Sequence, residues 1–380
     1  MIVRVTVSRS VIGAGFSGFL LIGAVQAFYG PAQFGLREAF GIDAVSVGAF
    51  SSLLFAGSVI GISGFPLLER RLGLKTVLLA SSLLLALGML GVALAGSWAM
   101  ALLSVLVIGL GFGGLDVGFN LHFATAFGAR SAFYSNVLNA MFGLGSVLGP
   151  LLVGLTGNYR LTYAWSAGLT LGLTLLIASS RLRSGIPTAA PAKMRWSWLL
   201  GLFVLFFFLY VVIEVGTAGA QPRHLRDALR YSEQGAAFYN ALFWGGLTVG
   251  RLLGAAVALR VPAQRLVLTS SLLLLTALAL THFPLLAPFA YTLAGVACGP
   301  IFPTGLVWLS SLTGGNAAVT SLIVAAASLG GVAAPFAVAA LAGRDAALIP
   351  SALSALAVAL ALLNFALLRQ ARGVNREARA

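Results

Sequence analysis

A helix needs about 20 mostly apolar residues to cross the hydrocarbon core of a bilayer, and this chain of 380 residues supplies such a run twelve times. Candidate spans lie near 10–30, 45–68, 76–95, 98–126, 132–156 and 161–180. After a polar segment they resume near 197–220, 234–258, 266–283, 286–311, 316–341 and 346–368. The runs are too long and too evenly apolar for the alternating pattern of a membrane β-barrel. Only 8% of residues are charged and the mean hydropathy is +1.01, whereas an ordinary soluble domain is roughly 25% charged. So few charges cannot cover a water-facing surface, which excludes a water-soluble enzyme, a disordered protein and a coiled coil. The expected fold class is an all-α membrane protein, twelve transmembrane helices in two six-helix bundles. Residues 1–180 would form the first bundle, 181–195 a cytoplasmic linker and 196–380 the second bundle.

The linker, Arg181 to Arg195, holds Pro187, Pro191 and four basic residues, the composition of an exposed connector. Arg4 and Arg9 precede the first span, a pattern shared with signal peptides, but Val11–Tyr29 is long enough to cross and eleven spans follow. With the N-terminus in the cytoplasm, seventeen of the 23 Lys and Arg fall in inner segments and six in outer ones. That is the bias that orients membrane proteins. Both termini are therefore expected in the cytoplasm, in a cell (inner or plasma) membrane. The net charge of +14 is explained the same way, since no basic face interleaved with aromatics points to nucleic acid. One cysteine, Cys298, permits no internal disulfide, and His122, His224 and His282 lack metal-ligand spacing. No phosphate-binding Gly-x-x-x-x-Gly-Lys-Ser/Thr occurs, and Gly109–Gly114 lies within a span with no strand before it. Neither metal nor cofactor is expected, and the chain does not read as an enzyme.

The two halves repeat each other. Leu53–Gly61 (LLFAGSVIG) aligns with Leu242–Gly250 (LFWGGLTVG) at a spacing of 189 residues. Without a gap, Ser81–Leu85 then falls on Ser270–Leu274, both SSLLL. Gly145–Pro150 (GSVLGP) matches Gly330–Pro335 (GGVAAP) at a slightly different spacing. A parallel six-plus-six repeat implies two bundles related by an axis along the membrane normal.

On these features the chain resembles the major facilitator superfamily of secondary transporters over roughly residues 10 to 368. The loop Glu69-Arg70-Arg71-Leu72-Gly73-Leu74-Lys75 is similar to a degenerate form of the superfamily's acidic-Arg-x-Gly-Arg-Lys loop motif, with the acidic residue shifted by one position. Gly109–Asn120 (GLGFGGLDVGFN), Leu138–Gly145, Ile213–Gly219 (IEVGTAG), Leu242–Arg251 and Pro300–Gly305 resemble the fucose:proton symporter group. That resemblance implies a sugar substrate and proton coupling. The first helix carries no carboxylate, only Gln26 and Tyr29, so the proton-binding aspartate of known proton–fucose carriers has no counterpart here.

Of nine acidic residues, only Asp116 and Glu214 lie inside apolar spans. An intramembrane carboxylate is expensive unless paired, hydrated or protonated, which makes both functional suspects. Counting from Trp98, Asp116 sits about 27 Å into the fourth helix, in its cytoplasmic third; Glu214 sits about 25 Å into the seventh, in its outer third. Two roles compete for each. Glu214, at the depth of Gln26 and Tyr29, would take up the coupling proton at the edge of a central cavity, with Asp116 relaying it on the cytoplasmic side. Alternatively each carboxylate holds a gate through hydrogen bonds to neighbours such as Asn120 or Asn139.

Sugar recognition needs neutral hydrogen-bonding groups and aromatic faces in a mostly apolar cavity. Gln26, Tyr29, Asn240 and Trp244 fit, with Tyr210 and Trp308 as lesser candidates; Asn240 and Trp244, spaced i and i+4, share one helix face. Gly57/Gly61, Gly109/Gly113, Gly145/Gly149 and Gly246/Gly250 are small-xxx-small pairs that let helices approach closely. The expected function is secondary transport of a small polar solute, a sugar, with protons, by a monomer whose bundles rock around a midplane site. Gly145–Gly154 also resembles the glycine-rich Gly-Pro motif of superfamily exporters, which keeps proton-coupled export of drugs or amphipathic metabolites open. A non-transporting membrane receptor or scaffold is the third reading.

Overall fold

The computed structural model describes residues 9–127, 131–180, 197–313 and 317–377. The chain divides into two compact units, Met1–Thr188 and Ala189–Ala380. The expected linker, 181–195, lies outside the described residues.

The first unit holds α1 (Arg9–Phe40), α2 (Gly48–Leu72), α3 (Leu74–Leu94), α4 (Trp98–Ala126), α5 (Ser131–Thr156) and α6 (Tyr159–Ser179). The second holds α7 (Trp198–Arg223), extended by a π-helical turn over His224–Ala228, then α8 (Glu233–Ala258), α9 (Ala263–Leu280), α10 (Ala287–Thr313), α11 (Ala317–Ala342) and α12 (Ile349–Glu377). Twelve helices among the described residues are long and apolar enough to cross a membrane.

Helix starts follow from side-chain caps. Ser97, Asn158, Ser197 and Ser232 each accept a backbone N–H of the first turn of α4, α6, α7 and α8, satisfying donors that the helix cannot satisfy itself. Several helix ends are closed by the few cations. Lys75 Nζ donates to Ala178 O (2.6 Å) and Ser180 O (2.9 Å) at the end of α6. Arg160 Nη1 donates to Ala93 O (3.0 Å) near the end of α3. Arg223 Nη2 reaches Arg344 O (2.6 Å) and Gly343 O (3.3 Å) just past α11. A positive charge at a helix C-terminus meets both the unpaired carbonyls and the negative end of the dipole. α3 and α6 are thus fastened reciprocally, each contributing a cation to the other's end.

α1 runs ten residues past the expected stop at 30, through Pro31. Proline removes one N–H from the ladder, and Gln33 Nε2 donates to Gly30 O at 2.6 Å on the next turn. Glycine seams hold the inner pairs. A Cβ on Gly57 or Gly61 of α2 would overlap the backbone of α4, and one on Gly109 or Gly113 would overlap that of α2. Gly246 and Gly250 of α8 meet α10 in the same way, and Gly145 and Gly149 of α5 meet α1. Without side chains between them, backbones approach closely enough for dispersion contacts to replace the missing hydrophobic drive in lipid.

The internal repeat extends to side-chain bonding. Ser82 of α3 shares a hydrogen bond with Thr174 of α6 (2.8 Å), and Ser271 of α9, 189 residues after Ser82, accepts one from Asn364 of α12 (3.2 Å).

Candidate functional site

The second unit carries a polar stripe on each of two antiparallel neighbours. On α7, Tyr210, Glu214, Thr217 and Gln221 follow the i, i+4, i+7, i+11 spacing that keeps residues on one helix face. On α8, Asn240, Trp244, Leu247 and Arg251 repeat that spacing. The stripes are registered at one end by hydrogen bonds. Asn240 Nδ2 donates to Ala218 O (2.8 Å) and to Gln221 Oε1 (3.1 Å), and Gln221 Nε2 donates to Tyr239 O (3.0 Å). From that anchor, antiparallel register brings Trp244 toward Thr217 and Glu214, and Arg251 toward Tyr210. Consistent with this, the electrostatic neighbours of the Tyr210 hydroxyl are Glu214, Arg251 and Cys298 of α10.

This seam is buried, with Tyr210, Thr217, Gln221 and Asn240 at 0% exposure, Trp244 at 3% and Glu214 at 7%. Three of its polar atoms have no hydrogen-bond partner among the described residues: Thr217 Oγ1, Asn240 Oδ1 and Trp244 Nε1. Leaving a buried donor or acceptor unmet costs about 1–3 kcal/mol apiece. A donor (Trp244), an acceptor (Asn240) and a group able to act as either (Thr217) match what a hydroxyl-rich, uncharged molecule presents. The Tyr210 hydroxyl, by contrast, donates to Cys298 O at 3.0 Å inside the bundle. Trp308 is also a packing residue, edge-on to Phe203 with ring centroids 5.0 Å apart.

In the first unit, the corresponding region of α1 is aromatic. Gln26 and Tyr29 are half-buried. The Tyr29 ring stacks on Phe50 of α2 (6.4 Å between centroids), and Phe50 in turn contacts Trp98 and Tyr163. Asp116 of α4 is half-buried and accepts a hydrogen bond from Asn120 Nδ2, one turn along, at 2.9 Å. Asn139 is exposed and donates instead to Ser135 O of its own helix (2.9 Å), so the expected Asp116–Asn139 contact is replaced by a local one. Asp116 and Glu214 sit in different units, on α4 and α7.

The loop motif lies at the junction of α2 and α3. Gly73 adopts φ +81°, a conformation that side-chain-bearing residues rarely take, and closes α2 by donating its N–H to Glu69 O (2.8 Å). Arg70 and Arg71 are exposed in the last turn of α2. Lys75, from the same motif, makes the α6 cap already described.

The Major Facilitator Superfamily profile matches residues 15–335. The chain belongs to that superfamily. Within it, the chain is similar to the glucose/mannose transporter GlcP of Bacillus subtilis, at 26% identity over 83% of this chain and 84% of that protein. It is also similar to the sodium-dependent glucose transporter 1 of Homo sapiens, at 25% identity over 63% of this chain and 55% of that one. A crystal structure of a point mutant of the nucleoside transporter NupG superposes with a TM-score of 0.79, at 15% identity, over 94% of this chain and 100% of that one. At that identity the likeness shows the superfamily's fold: a multi-pass, all-α membrane protein.

Two seam residues escaped the sequence reading. In the sequence Thr217 stands only as part of the Ile213–Gly219 motif, with nothing to single it out. Arg251 was counted among the inner-segment cations, yet it lies inside α8, seven residues before Ala258, and half-buried. The shared i, i+4, i+7, i+11 spacing on consecutive helices was the signal that could have found both.

Proposed function

We propose that this chain carries a neutral polyhydroxyl solute, a sugar, across the cell membrane, driven by protons that load at Glu214. The observation that carries the reading is the α7/α8 seam, where a buried carboxylate stands in line with unmet hydroxyl-matching groups on Thr217, Asn240 and Trp244. The names of two sugar-transporting relatives support the solute class. Asn240 and Trp244 of the second unit recognise the sugar. The groups of the seam are out of reach of solvent in this state, so loading requires the protein to open, as alternating access by two moving units would provide. Asp116, already held by Asn120, serves a gate rather than the proton path.

The energetic logic is direct. A carboxylate in a bilayer is far cheaper neutral than charged. A site that empties its proton on one side and refills on the other therefore couples the gradient to the conformational cycle. The protein acts as a monomer with both termini and the 181–195 linker in the cytoplasm. Glu214→Gln, measured in proteoliposomes, is expected to abolish uptake driven by a pH gradient while sugar counterflow continues. Gradient-driven accumulation that persists in Glu214→Gln would overturn the coupling role. Uptake in wild-type vesicles that follows a sodium gradient and ignores a pH gradient would replace the proton by sodium.

A further inference from the structure

The Tyr210 hydroxyl has one proton to donate. It donates to Cys298 O of α10 at 3.0 Å, and the Glu214 carboxyl, one turn along the same face of α7, is an electrostatic neighbour of that hydroxyl and its alternative acceptor. A hydrogen bond to an ionised carboxylate is roughly twice as strong as one to a neutral carbonyl. The preferred acceptor therefore depends on the charge of Glu214.

The competing acceptor lies at a weak point of α10. Pro300 and Pro303 stand inside that helix, and each withdraws an N–H that would have closed the ladder to Val296 and Gly299. Helices bend where such bonds are missing. Gly299, between Cys298 and Pro300, lies so close to α8 that a Cβ there would overlap the backbone at Gly250 and Arg251. The proline segment is thus touched by α7 through Tyr210 and by α8 through its backbone.

We propose that Tyr210 is a positioning residue that transmits the charge state of Glu214 to the proline bend of α10. With Glu214 protonated, the hydroxyl donates to the Cys298 carbonyl and ties α7 to α10. With Glu214 ionised, the hydroxyl turns to the carboxylate and releases that tie. Tyr210 keeps its own proton throughout and changes only its acceptor; the moving proton comes to Glu214 from water on one side and leaves to water on the other. The inference rests on the reading of Glu214 as a group that gains and loses a proton. Besides Tyr210, the titratable group acting on that carboxyl is Cys298 on α10, and Arg251 on α8 acts on Tyr210 and Cys298. α11 carries none, and the first on α12 is Arg369, close to its end.

Cys298 is the sole cysteine of the chain and fully buried, which makes it a native reporter of the bend. The full-length protein in lipid nanodiscs is labelled with N-ethylmaleimide at an acidic and an alkaline pH. Thiolate formation speeds labelling with rising pH in every variant, so rates are read as ratios to Glu214→Gln at the same pH. The wild-type ratio is expected near one in acid and about tenfold higher in alkali, the difference between a charge-assisted and a neutral bond. Tyr210→Phe keeps the ring against Phe302 and is expected to label fast at both pH values. A wild-type ratio of one throughout, or a Tyr210→Phe protein as slow as Glu214→Gln, overturns the inference. If labelling fails to switch while Glu214→Gln still uncouples uptake, only this inference falls. If labelling switches while Glu214→Gln remains coupled, the tie stands and the coupling role of Glu214 falls.

Discussion

At a spacing of 189 residues, Tyr210, Glu214, Thr217 and Gln221 of α7 correspond to Leu21, Val25, Phe28 and Ala32 of α1, all buried. On the partner helices, Asn240, Trp244 and Arg251 of α8 correspond to Ser51, Phe55 and Ile62 of α2. The backbone plan is shared: the same glycines open α2 to α4 and α8 to α10, and the same serine ties α3 to α6 and α9 to α12. What fills the plan differs. Ser51 apart, the first unit packs hydrocarbon and aromatic rings where the second places a buried carboxylate, a half-buried guanidinium and unmet polar atoms. Packing alone would favour the apolar filling, because buried polar groups rarely add stability to a fold that could do without them. On the proposed reading, the α1/α2 region has a structural role and α7/α8 a chemical one.

The largest test of this contrast exchanges the two fillings. Val25→Glu should destabilise the first unit by several kcal/mol, because nothing there receives the charge. Glu214→Val should leave the melting temperature unchanged or raised while gradient-driven uptake is lost. Thermal unfolding of both variants in detergent checks this, and equal destabilisation would erase the distinction.

A middle-sized effect is expected at the unmet groups. Thr217→Val removes one hydrogen-bonding atom at nearly constant volume, and Trp244→Phe removes one together with part of the ring system. Each should raise the sugar concentration for half-maximal counterflow by about tenfold, the value of roughly one buried hydrogen bond. For Thr217→Val the melting temperature of the substrate-free protein should not fall, since that hydroxyl has no partner among the described residues. Half-maximal concentrations unchanged from wild type would remove these residues from the sugar site.

The smallest effect concerns the helix-end cations, where the units diverge again. Lys75→Met forfeits two bonds at the end of α6 and should cost about 0.5–1 kcal/mol. Gln264, the repeat-related residue of α9, should be replaceable by Met without loss. Uptake should be unaffected by either, as read by paired melting and counterflow assays. A transport defect in Lys75→Met with normal melting would give the loop motif a gating role instead.

Much of this architecture was legible in the chain itself. Spans of 20 apolar residues have few alternatives in lipid, where a backbone must satisfy its own hydrogen bonds. Paired glycines at four-residue spacing announced the close helix contacts, and the 189-residue spacing announced two copies of one bundle. Asn240 and Trp244 could be placed on one face by helix period alone. Tyr210 and Trp308 could not be told from ligand-facing aromatics, because a period assigns a face but not a neighbour. The Asp116–Asn120 bond was foreseeable as an i, i+4 pair, whereas the choice of Asn139 for Ser135 O depended on where α5 points.

The amino-acid order by itself determined that this protein is helical, membrane-spanning and internally duplicated, since the period and length of apolar runs act locally and admit no other solution in a bilayer. Only the tertiary structure decided which polar groups meet. Bringing Gln221 to Asn240, Tyr210 to the Cys298 carbonyl, and Arg251 into the neighbourhood of Tyr210 depends on the register between helices. That register is set by side-chain interlock and glycine approach across separate stretches of chain, which no single run of residues encodes.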